Sequence, residues 1–246
     1  MASISQLSDL DGALIRYVWG APASFDSNIT GPQGVGFWRN LFEVLKPGAF
    51  VVMECSHKEI FHLGILLRVA GFSVRDTLFI ASDAVVGEGG SLYIFACRPV
   101  DYNYAYNTMQ YGVGGLNIVE SRFYPDGGGE GKWPANVLHD GSADDVPQDA
   151  LNPHSHTCSR FFKEIQGGIT SSETLRYFGA LICPPGGTLV LLGADSMSCG
   201  SLLEYGINVV AVSEGGHVEN TPPAPPSCVP PPEELEDISI LALWGL

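Results

Sequence analysis

The sequence is poor in charge, and above all in positive charge. Charged residues make up 16% of the 246 positions, and 12 Lys and Arg stand against 27 Asp and Glu, for a formal net charge of −15. Proteins that bind nucleic acid normally carry a basic face, because neutralising phosphates supplies most of the affinity. The average field of this chain repels DNA and RNA. Direct nucleic-acid binding is therefore disfavoured, and it would require a local basic patch.

The sequence also lacks a membrane-spanning apolar run, a secretory signal and a C-x-x-C pair. No apolar run reaches about 18 residues, which a membrane-spanning helix requires, and the first residues, MASISQLSDLDG, have neither the basic nor the apolar region of a secretory signal. The six cysteines include no C-x-x-C pair, and several lie inside apolar runs. We therefore expect buried free thiols, a cytoplasmic location and no membrane association.

What is present is the composition of a globular protein with alternating strand and helix signals. Hydrophobic residues make up 45% of the chain. Strand signals occur in ALIRYVW, KPGAFVVMEC, SVRDTLFIA and SLYIFACRP, and helix signals in FWRNLFEVL and HKEIFHLGILLRVAGF. We expect the apolar residues of the second helix to face the sheet. This alternation predicts an α/β fold with a mainly parallel sheet.

The alternation of strand and helix signals stops over about residues 101–160. Tyr, Asn, Gly, Asp and Pro dominate there and periodicity is weak, which predicts a long, loop-rich insertion. The alternation returns at SSETLRYFGALI. We therefore predict one α/β domain over residues 1–219, including the insertion.

Residues 220–246 form a different kind of segment. NTPPAPPSCVPPPEELE predicts an extended, proline-rich linker, and DISILALWGL is a short apolar tail. An apolar tail beyond a stiff spacer is expected to dock, either on its own domain or on a neighbouring chain. The arm thus predicts a protein partner or a homo-oligomer. Its candidate partner-binding residues are Leu241, Leu243, Trp244 and Leu246.

One stretch has the outline of a nucleotide-binding βαβ unit. It reads TLVLLGADSMSCGSLLEYGINVVAVSE, with an apolar strand, a loop of small residues, an apolar helix and a second apolar strand. The loop has no glycine fingerprint, and the second strand ends in Ser213, where an acidic residue usually binds a ribose.

Several short runs, in order, resemble the permuted β-class of DNA amino-methyltransferases. These S-adenosylmethionine-dependent enzymes methylate adenine N6 or cytosine N4, and many occur in phages and prophages. The runs are LKPGAFVVMECSHKEIFHLGILLRVAGFSVRD, YGVGGLNIVESRF, GKWPANVLHDGS, SRFF and TLRYFGALICPPGGTLVLL, within about residues 10–219. The resemblance implies a Rossmann-like methyltransferase fold with a mainly parallel sheet, a loop-rich insertion and a Pro-rich C-terminal arm.

The resemblance also locates the family's catalytic loop, and this chain departs from it. In the family, an Asp-Pro-Pro-Tyr type loop holds the target amine by its first residue and stacks the flipped base on its aromatic residue. The matching positions here are Gly20, Ala21, Pro22 and Ala23. Glycine replaces the polar residue and alanine the aromatic ring, so no catalytic residue is expected there.

The cofactor positions implied by the resemblance are altered as well. The family's Asp-Pro-Phe-x-Gly-x-Gly loop brings bare backbone against the methionine part of the cofactor. The aligned aspartate, proline, phenylalanine, two glycines and ribose-binding acid fall on Leu191, Leu192, Gly193, Asp195, Met197 and Ser213. Side chains at the two glycine positions would collide with the ligand. We therefore expect no bound cofactor.

The leading hypothesis is a catalytically inactive, methyltransferase-like protein. It would serve as a structural or partner-binding subunit of an assembly, in the cytoplasm or in a virion if the protein derives from a phage. The alternative is an active S-adenosylmethionine-dependent DNA methyltransferase with a divergent site. In that case Gly193, Asp195 and Glu214 would line the cofactor pocket, and Pro22, Phe25 and Asp26 would line the base pocket.

One pattern of metal-ligating residues stands apart from these hypotheses. His154, His156 and Cys158 alternate and would share one side of an extended segment, as zinc ligands could. A fourth ligand is not evident, and histidines are common in polar loops. No metal is therefore expected.

Overall fold

The computed structural model describes nine stretches of the chain and places six helices and nine strands within them. The described residues are 7–15, 34–81, 90–123, 131–132, 136–139, 163–165, 172–192, 196–212 and 218–220. The helices are α1 (Val35–Val44), α2 (Ile60–Ala70), α3 (Tyr104–Tyr111), α4 (Ile118–Ser121), α5 (Ser172–Ile182) and α6 (Ser196–Glu204). The strands are β1 (Leu10–Ile15), β2 (Leu45–Cys55), β3 (Ser73–Ala81), β4 (Gly90–Cys97), β5 (Val137–His139), β6 (Lys163–Glu164), β7 (Thr188–Leu192), β8 (Asn208–Val212) and β9 (Val218–Asn220).

All of these strands belong to one sheet, in the order β6-β5-β3-β4-β2-β1-β7-β8-β9. β4 runs antiparallel to both of its neighbours, and β9 runs antiparallel to β8. The other pairings are parallel, so every described strand except β4 and β9 runs in the same direction. The predicted α/β fold with a mainly parallel sheet is confirmed.

Both faces of the sheet are buried, as expected for parallel strands joined by helices. Alternate residues of β1 belong to different hydrophobic clusters. Ala13 and Ile15 lie in the cluster that includes the buried residues of α1 and α2. Leu14 lies in the cluster that includes buried residues of α5 and α6. The domain is therefore a three-layer sandwich, and continuous apolar runs such as FVVM in β2 are apolar because both of their faces are covered.

Helix α2 departs from the predicted pattern. Leu63, Leu66, Leu67 and Ala70 are buried against the sheet side, and Gly71, in the left-handed conformation at φ 110°, ends the helix. Three further apolar residues point away from the core. The exposed fractions are 77% for Phe61, 52% for Ile65 and 48% for Val69. The prediction that the apolar residues of this helix face the sheet was therefore only half right.

The stretch predicted as a loop-rich insertion contains regular structure. Helix α3 begins where the Asn103 side chain accepts a hydrogen bond from the Tyr106 amide at 2.8 Å, and it ends at Gly112 with φ 75°. The buried Asn107 donates from Nδ2 to the carbonyl oxygens of Pro47 and Val113, both at 2.8 Å. These bonds fix α3 to the start of β2. A polar residue thus anchors a helix that has little apolar periodicity. In the described part of the chain, no helix is both long enough and apolar enough to cross a membrane.

Candidate functional site

The strand order creates a crevice at the centre of the sheet. β1 and β7 are parallel neighbours. The chain passes from β1 through α1 to β2 on one side, and from β7 through α6 to β8 on the other. The connections therefore leave in opposite directions from the carboxyl ends of these two strands. In open α/β sheets, ligands bind at this topological switch point.

The described strand ends at the switch point carry apolar side chains. Ile15 at the end of β1 pairs with Leu192 of β7 on one side and with Met53 of β2 on the other. Leu192 in turn pairs with Val212, the last residue of β8. All four are buried. None of these side chains can accept hydrogen bonds from a ribose or bind an amino-acid ammonium group.

Among the predicted cofactor positions, Leu191 is described together with its neighbour Leu192. Leu191 pairs with Leu14 and Ala211, and only 1% of its surface is exposed. Its side chain belongs to the hydrophobic cluster that contains Phe178 of α5 and Leu202 of α6. The position aligned with the family's aspartate therefore lies inside the core and does not line the crevice.

The remaining predicted site residues are not brought together by the described structure. Met197 falls in the first turn of α6, but its side chain is not described. The residues outside the described ranges are the loop positions Gly20, Ala21, Pro22, Ala23, Gly193, Asp195 and Ser213, the alternative site residues Phe25, Asp26 and Glu214, and the arm residues Leu241, Leu243, Trp244 and Leu246. Their roles stay predictions.

Polar groups near the crevice come from the end of β2. Glu54 Oε1 accepts a hydrogen bond from Ser91 Oγ at 3.0 Å, and Glu59 Oε2 accepts one from Ser56 Oγ at 2.8 Å. Between them, burial raises the pKa of the Cys55 thiol to about 12, and the nearby Glu59 and Glu54 carboxylates add to this shift. Cys55 is therefore a protonated thiol at neutral pH, which is unsuited to nucleophilic attack. Sequence reasoning missed the Glu54–Ser91 pair because its partners lie on separate strands, 37 residues apart.

The opposite, amino-terminal edge of the sheet holds a partly buried ion pair. Asp11 Oδ1 accepts from Lys46 Nζ at 2.6 Å, and Asp11 Oδ2 accepts from the Thr188 amide at 2.7 Å. Asp11 thereby joins the first strand to β2 and to β7. The Cα of Gly187 comes so close that a Cβ there would stand 3.1 Å from Asp11 Oδ2. This pair lies away from the switch point, so we assign it to stability and not to ligand binding.

Two adjoining cavities flank Tyr177 on the α5 side of the sheet. One has a volume of about 80 Å³ and includes Lys163 and Arg176 in its lining, and the other has a volume of about 150 Å³ and is mainly apolar. Ser121, Tyr177 and Leu181 line both. Burial raises the pKa of Tyr177 to about 12, with a small opposing effect of its hydrogen bond with Ser121. The cavities carry charges of both signs and no convergent set of groups for one ligand.

No group of three or more His, Cys, Asp and Glu residues that could hold a metal ion is found within the described ranges. His154, His156 and Cys158 lie outside those ranges.

No family model matches this sequence, and no curated protein matches it. Solved structures do resemble the fold. The cytosine-N4-specific PvuII DNA methyltransferase superposes with a TM-score of 0.51 at 11% identity, over 85% of this chain and 77% of that chain. M1.HpyAVI gives 0.48 at 9% identity, over 85% and 81% of the two chains. TTHA0409, a putative DNA modification methylase from Thermus thermophilus, gives 0.46 at 8% identity, over 87% of each chain.

At this identity the PvuII likeness bears on the fold and not on activity. The likeness extends over 85% of this chain, which includes most of the sheet and the helices described above. The chain has a Rossmann-like α/β fold of the DNA-methyltransferase type.

Proposed function

We propose that this protein is a catalytically inactive, methyltransferase-like subunit that acts by binding other proteins. The observation that carries the proposal is the apolar character of the described strand ends at the switch point. Ile15, Leu192 and Val212 close the ends of β1, β7 and β8. An active site at this edge of the sheet needs polar groups to orient a cofactor and a base, and the last described residues of these strands supply none.

The position of Leu191 supports the same proposal. A carboxylate at this place in β7 would be buried among apolar side chains, where an unpaired charge is strongly disfavoured. Leucine instead contributes to the packing of α5 and α6 on the sheet. Leu191 therefore stabilises the fold. By the resemblance, the family has an acidic residue of its cofactor loop at this position.

The order of strands supports the permuted arrangement that the sequence resemblance implies. β1, which precedes the proposed remnant of the catalytic loop, comes early in the chain. β7, which precedes the proposed remnant of the cofactor loop, comes late and yet lies beside β1. A chain in which the catalytic half precedes the cofactor half produces this order.

The surface of the described helices supports a role in protein binding. Phe61, Ile65 and Val69 are exposed large apolar residues spaced by four along α2. Such a contiguous exposed apolar patch is typical of an interaction surface. We propose that the C-terminal arm, with Leu241, Leu243, Trp244 and Leu246, contributes to the contacts of this subunit.

Calorimetric titration of the full-length protein with S-adenosylmethionine tests the inactivity. We expect no saturable heat, and no shift of the thermal midpoint. A cofactor present at 100 times its dissociation constant would add about 2.7 kcal/mol to stability, which a thermal scan detects readily. M1.HpyAVI, whose structure is known as a complex with S-adenosylmethionine, is titrated in parallel as the positive control. Saturable binding with one cofactor per chain would refute the proposal.

A second function is favoured by one observation. The switch point between β1 and β7 is retained, and this is where the fold binds ligands. An active DNA adenine-N6 or cytosine-N4 methyltransferase would use Asp195 beside the cofactor and Asp26 beside the base. Methyl transfer from labelled S-adenosylmethionine to unmethylated DNA would then be measurable, and Asp26→Ala and Asp195→Ala would abolish it. No transfer above the protein-free background is expected if the subunit is inactive.

A further inference from the structure

The exposed side of α2 carries three apolar residues on a single line. Phe61, Ile65 and Val69 are spaced by four residues, so their side chains stand one above the other on one helix face. We call these three residues the apolar stripe. At 1.5 Å per residue it extends about 12 Å along the helix. The stripe lies on the side of α2 opposite to Leu63, Leu66 and Leu67, which are buried in the core.

The charge beside the stripe is positive at the end of the helix. Arg68 lies in the last turn of α2 and is exposed, and the helix sequence, IFHLGILLRVA, contains no carboxylate. Before the helix, Lys58 is exposed, and the Glu59 carboxylate is held by the Ser56 hydroxyl. In a chain with a formal charge of −15, an apolar line beside an arginine is suited to an apolar segment preceded by acidic residues.

The chain itself contains a segment of this chemistry. Residues 233–237 read EELED and carry four carboxylates, and residues 238–246 read ISILALWGL, with a single polar side chain. We call residues 238–246 the tail. Nine residues in helical form would measure about 13 Å, close to the length of the stripe.

The distance between the two is within reach of the linker. β9 ends at Asn220, and because β9 is antiparallel to β8 the chain leaves it toward the amino-terminal edge of the sheet. Helix α2 packs on β3 and β4, and it ends with Val69 near that same edge. β4 is five strand spacings from β9, or about 24 Å. Residues 221–232 include seven prolines among twelve residues and span about 37 Å as a polyproline II helix.

We propose that the apolar stripe of α2 is the docking site of the tail of the same chain, with residues 233–237 beside Arg68. This inference rests on the proposed protein-binding role of the C-terminal arm. It deepens that role because it assigns a defined surface to the contact made by the arm. When the tail leaves the stripe, the stripe and the tail become available to a partner together. Binding within one chain is favoured because the linker holds the tail at a high effective concentration.

Hydrogen–deuterium exchange of the full-length protein tests the docking. In the wild type, we expect peptides covering the tail to exchange more slowly than an unstructured segment of the same sequence. Ile65→Glu places a charge in the middle of the stripe, and tail exchange should become at least tenfold faster. The control is Val119→Glu, which alters a comparably exposed apolar residue on α4 (58% exposed) and should leave tail exchange unchanged.

A second variant, on the tail side of the contact, excludes the explanation that the charge introduced by Ile65→Glu only perturbs α2 itself. Trp244→Asp, in the tail, should accelerate exchange of the α2 peptide, while near-ultraviolet circular dichroism remains that of the wild type. An unprotected tail in the wild type, or protection that survives Ile65→Glu, would overturn the proposal. Protection that disappears on dilution, together with a dimer in light scattering, would assign the site to the tail of a second copy and overturn docking within one chain.

Failure of the docking site and failure of the proposed function give different results. Cofactor binding measured by calorimetry would refute inactivity and leave the exchange result intact. Absence of cofactor binding combined with an unprotected tail would refute the docking site and leave inactivity standing.

Discussion

The ion pair between Asp11 and Lys46 gives the sharpest stability prediction, because its two partners are buried to different degrees. The Asp11 side chain is 7% exposed, and that of Lys46 is 24% exposed. Lys46→Met leaves a buried carboxylate whose remaining hydrogen-bond partner among the described residues is the Thr188 amide. Asp11→Asn keeps the shape and an acceptor for Thr188, and the freed ammonium group of Lys46 can turn toward water. The lysine variant should therefore be the more harmful of the two.

Breaking a fully buried pair by removing one partner costs about 3–5 kcal/mol, and a hydrogen bond to a charged group contributes about 1.5–3 kcal/mol. Because Lys46 is partly exposed, solvent screening lowers these values. We expect a loss of about 2–3 kcal/mol in the free energy of unfolding for Lys46→Met and about 1–2 kcal/mol for Asp11→Asn.

Equilibrium urea unfolding of the full-length variants, followed by circular dichroism, measures both values. Lys58→Met removes an exposed lysine and should change stability by less than about 0.5 kcal/mol. The reasoning fails if Asp11→Asn destabilises more than Lys46→Met, or if both variants unfold like Lys58→Met. The first result would mean that the negative charge of Asp11 matters mainly because it strengthens the hydrogen bond from the Thr188 amide, and the second that the ion pair makes no net contribution to stability.

Two further predictions use local geometry. A Cβ on Gly90, which has φ 151°, would stand 2.0 Å from the Ile80 carbonyl oxygen, so Gly90→Ala should lower the midpoint of urea unfolding by the equivalent of about 3 kcal/mol or more. Gly64, inside α2, has open space at its Cβ position, and Gly64→Ala should raise stability by about 0.5–1 kcal/mol; equal effects of the two changes would contradict this account. The raised pKa of Cys55, about 12, keeps its thiol protonated, so its alkylation by iodoacetamide should be slow at pH 8 and rise about tenfold per pH unit as the thiolate fraction grows. Peptide mass spectrometry measures this rate, and rapid labelling at pH 8 would refute the assignment.

The fold was predictable from the sequence because its strands are buried on both faces. FVVM in β2 and TLVLL in β7 are continuous apolar runs, and such runs between helical periods indicate a parallel sheet. Helix α3 was missed because it is held by Asn107 and its bonds to the Pro47 and Val113 carbonyls. A polar anchor leaves no periodic apolar signal. Its Asn103 cap and Gly112 end were visible in the sequence as local signals.

The long-range contacts of Asp11 and Glu54 were less predictable than the fold because they join distant parts of the chain. Asp11 and Thr188 are 177 residues apart, and Glu54 and Ser91 are 37 apart. No local pattern encodes such pairs. The resemblance supplied positions for a cofactor loop, and of these the structure describes the environments of Leu191 and Leu192. Their burial could be anticipated from the apolar run that contains them, but the two neighbouring strands could not.

Contacts that stabilise the sheet and the place where this fold binds ligands lie at opposite edges of the sheet. The ion pair of Asp11 and Lys46 joins β1, β2 and β7 at the amino-terminal edge, and the apolar clusters hold the middle. The connections that would carry chemistry leave from the carboxyl edge, after Ile15 and Leu192. The ion pair and the described cluster residues of the central strands lie outside the short segments that directly follow Ile15 and Leu192, so changes in those segments leave these contacts in place. A methyltransferase-like fold can therefore be retained when those segments lose the residues of an active site, and the exposed surface of its helices is then where selection for a partner can act.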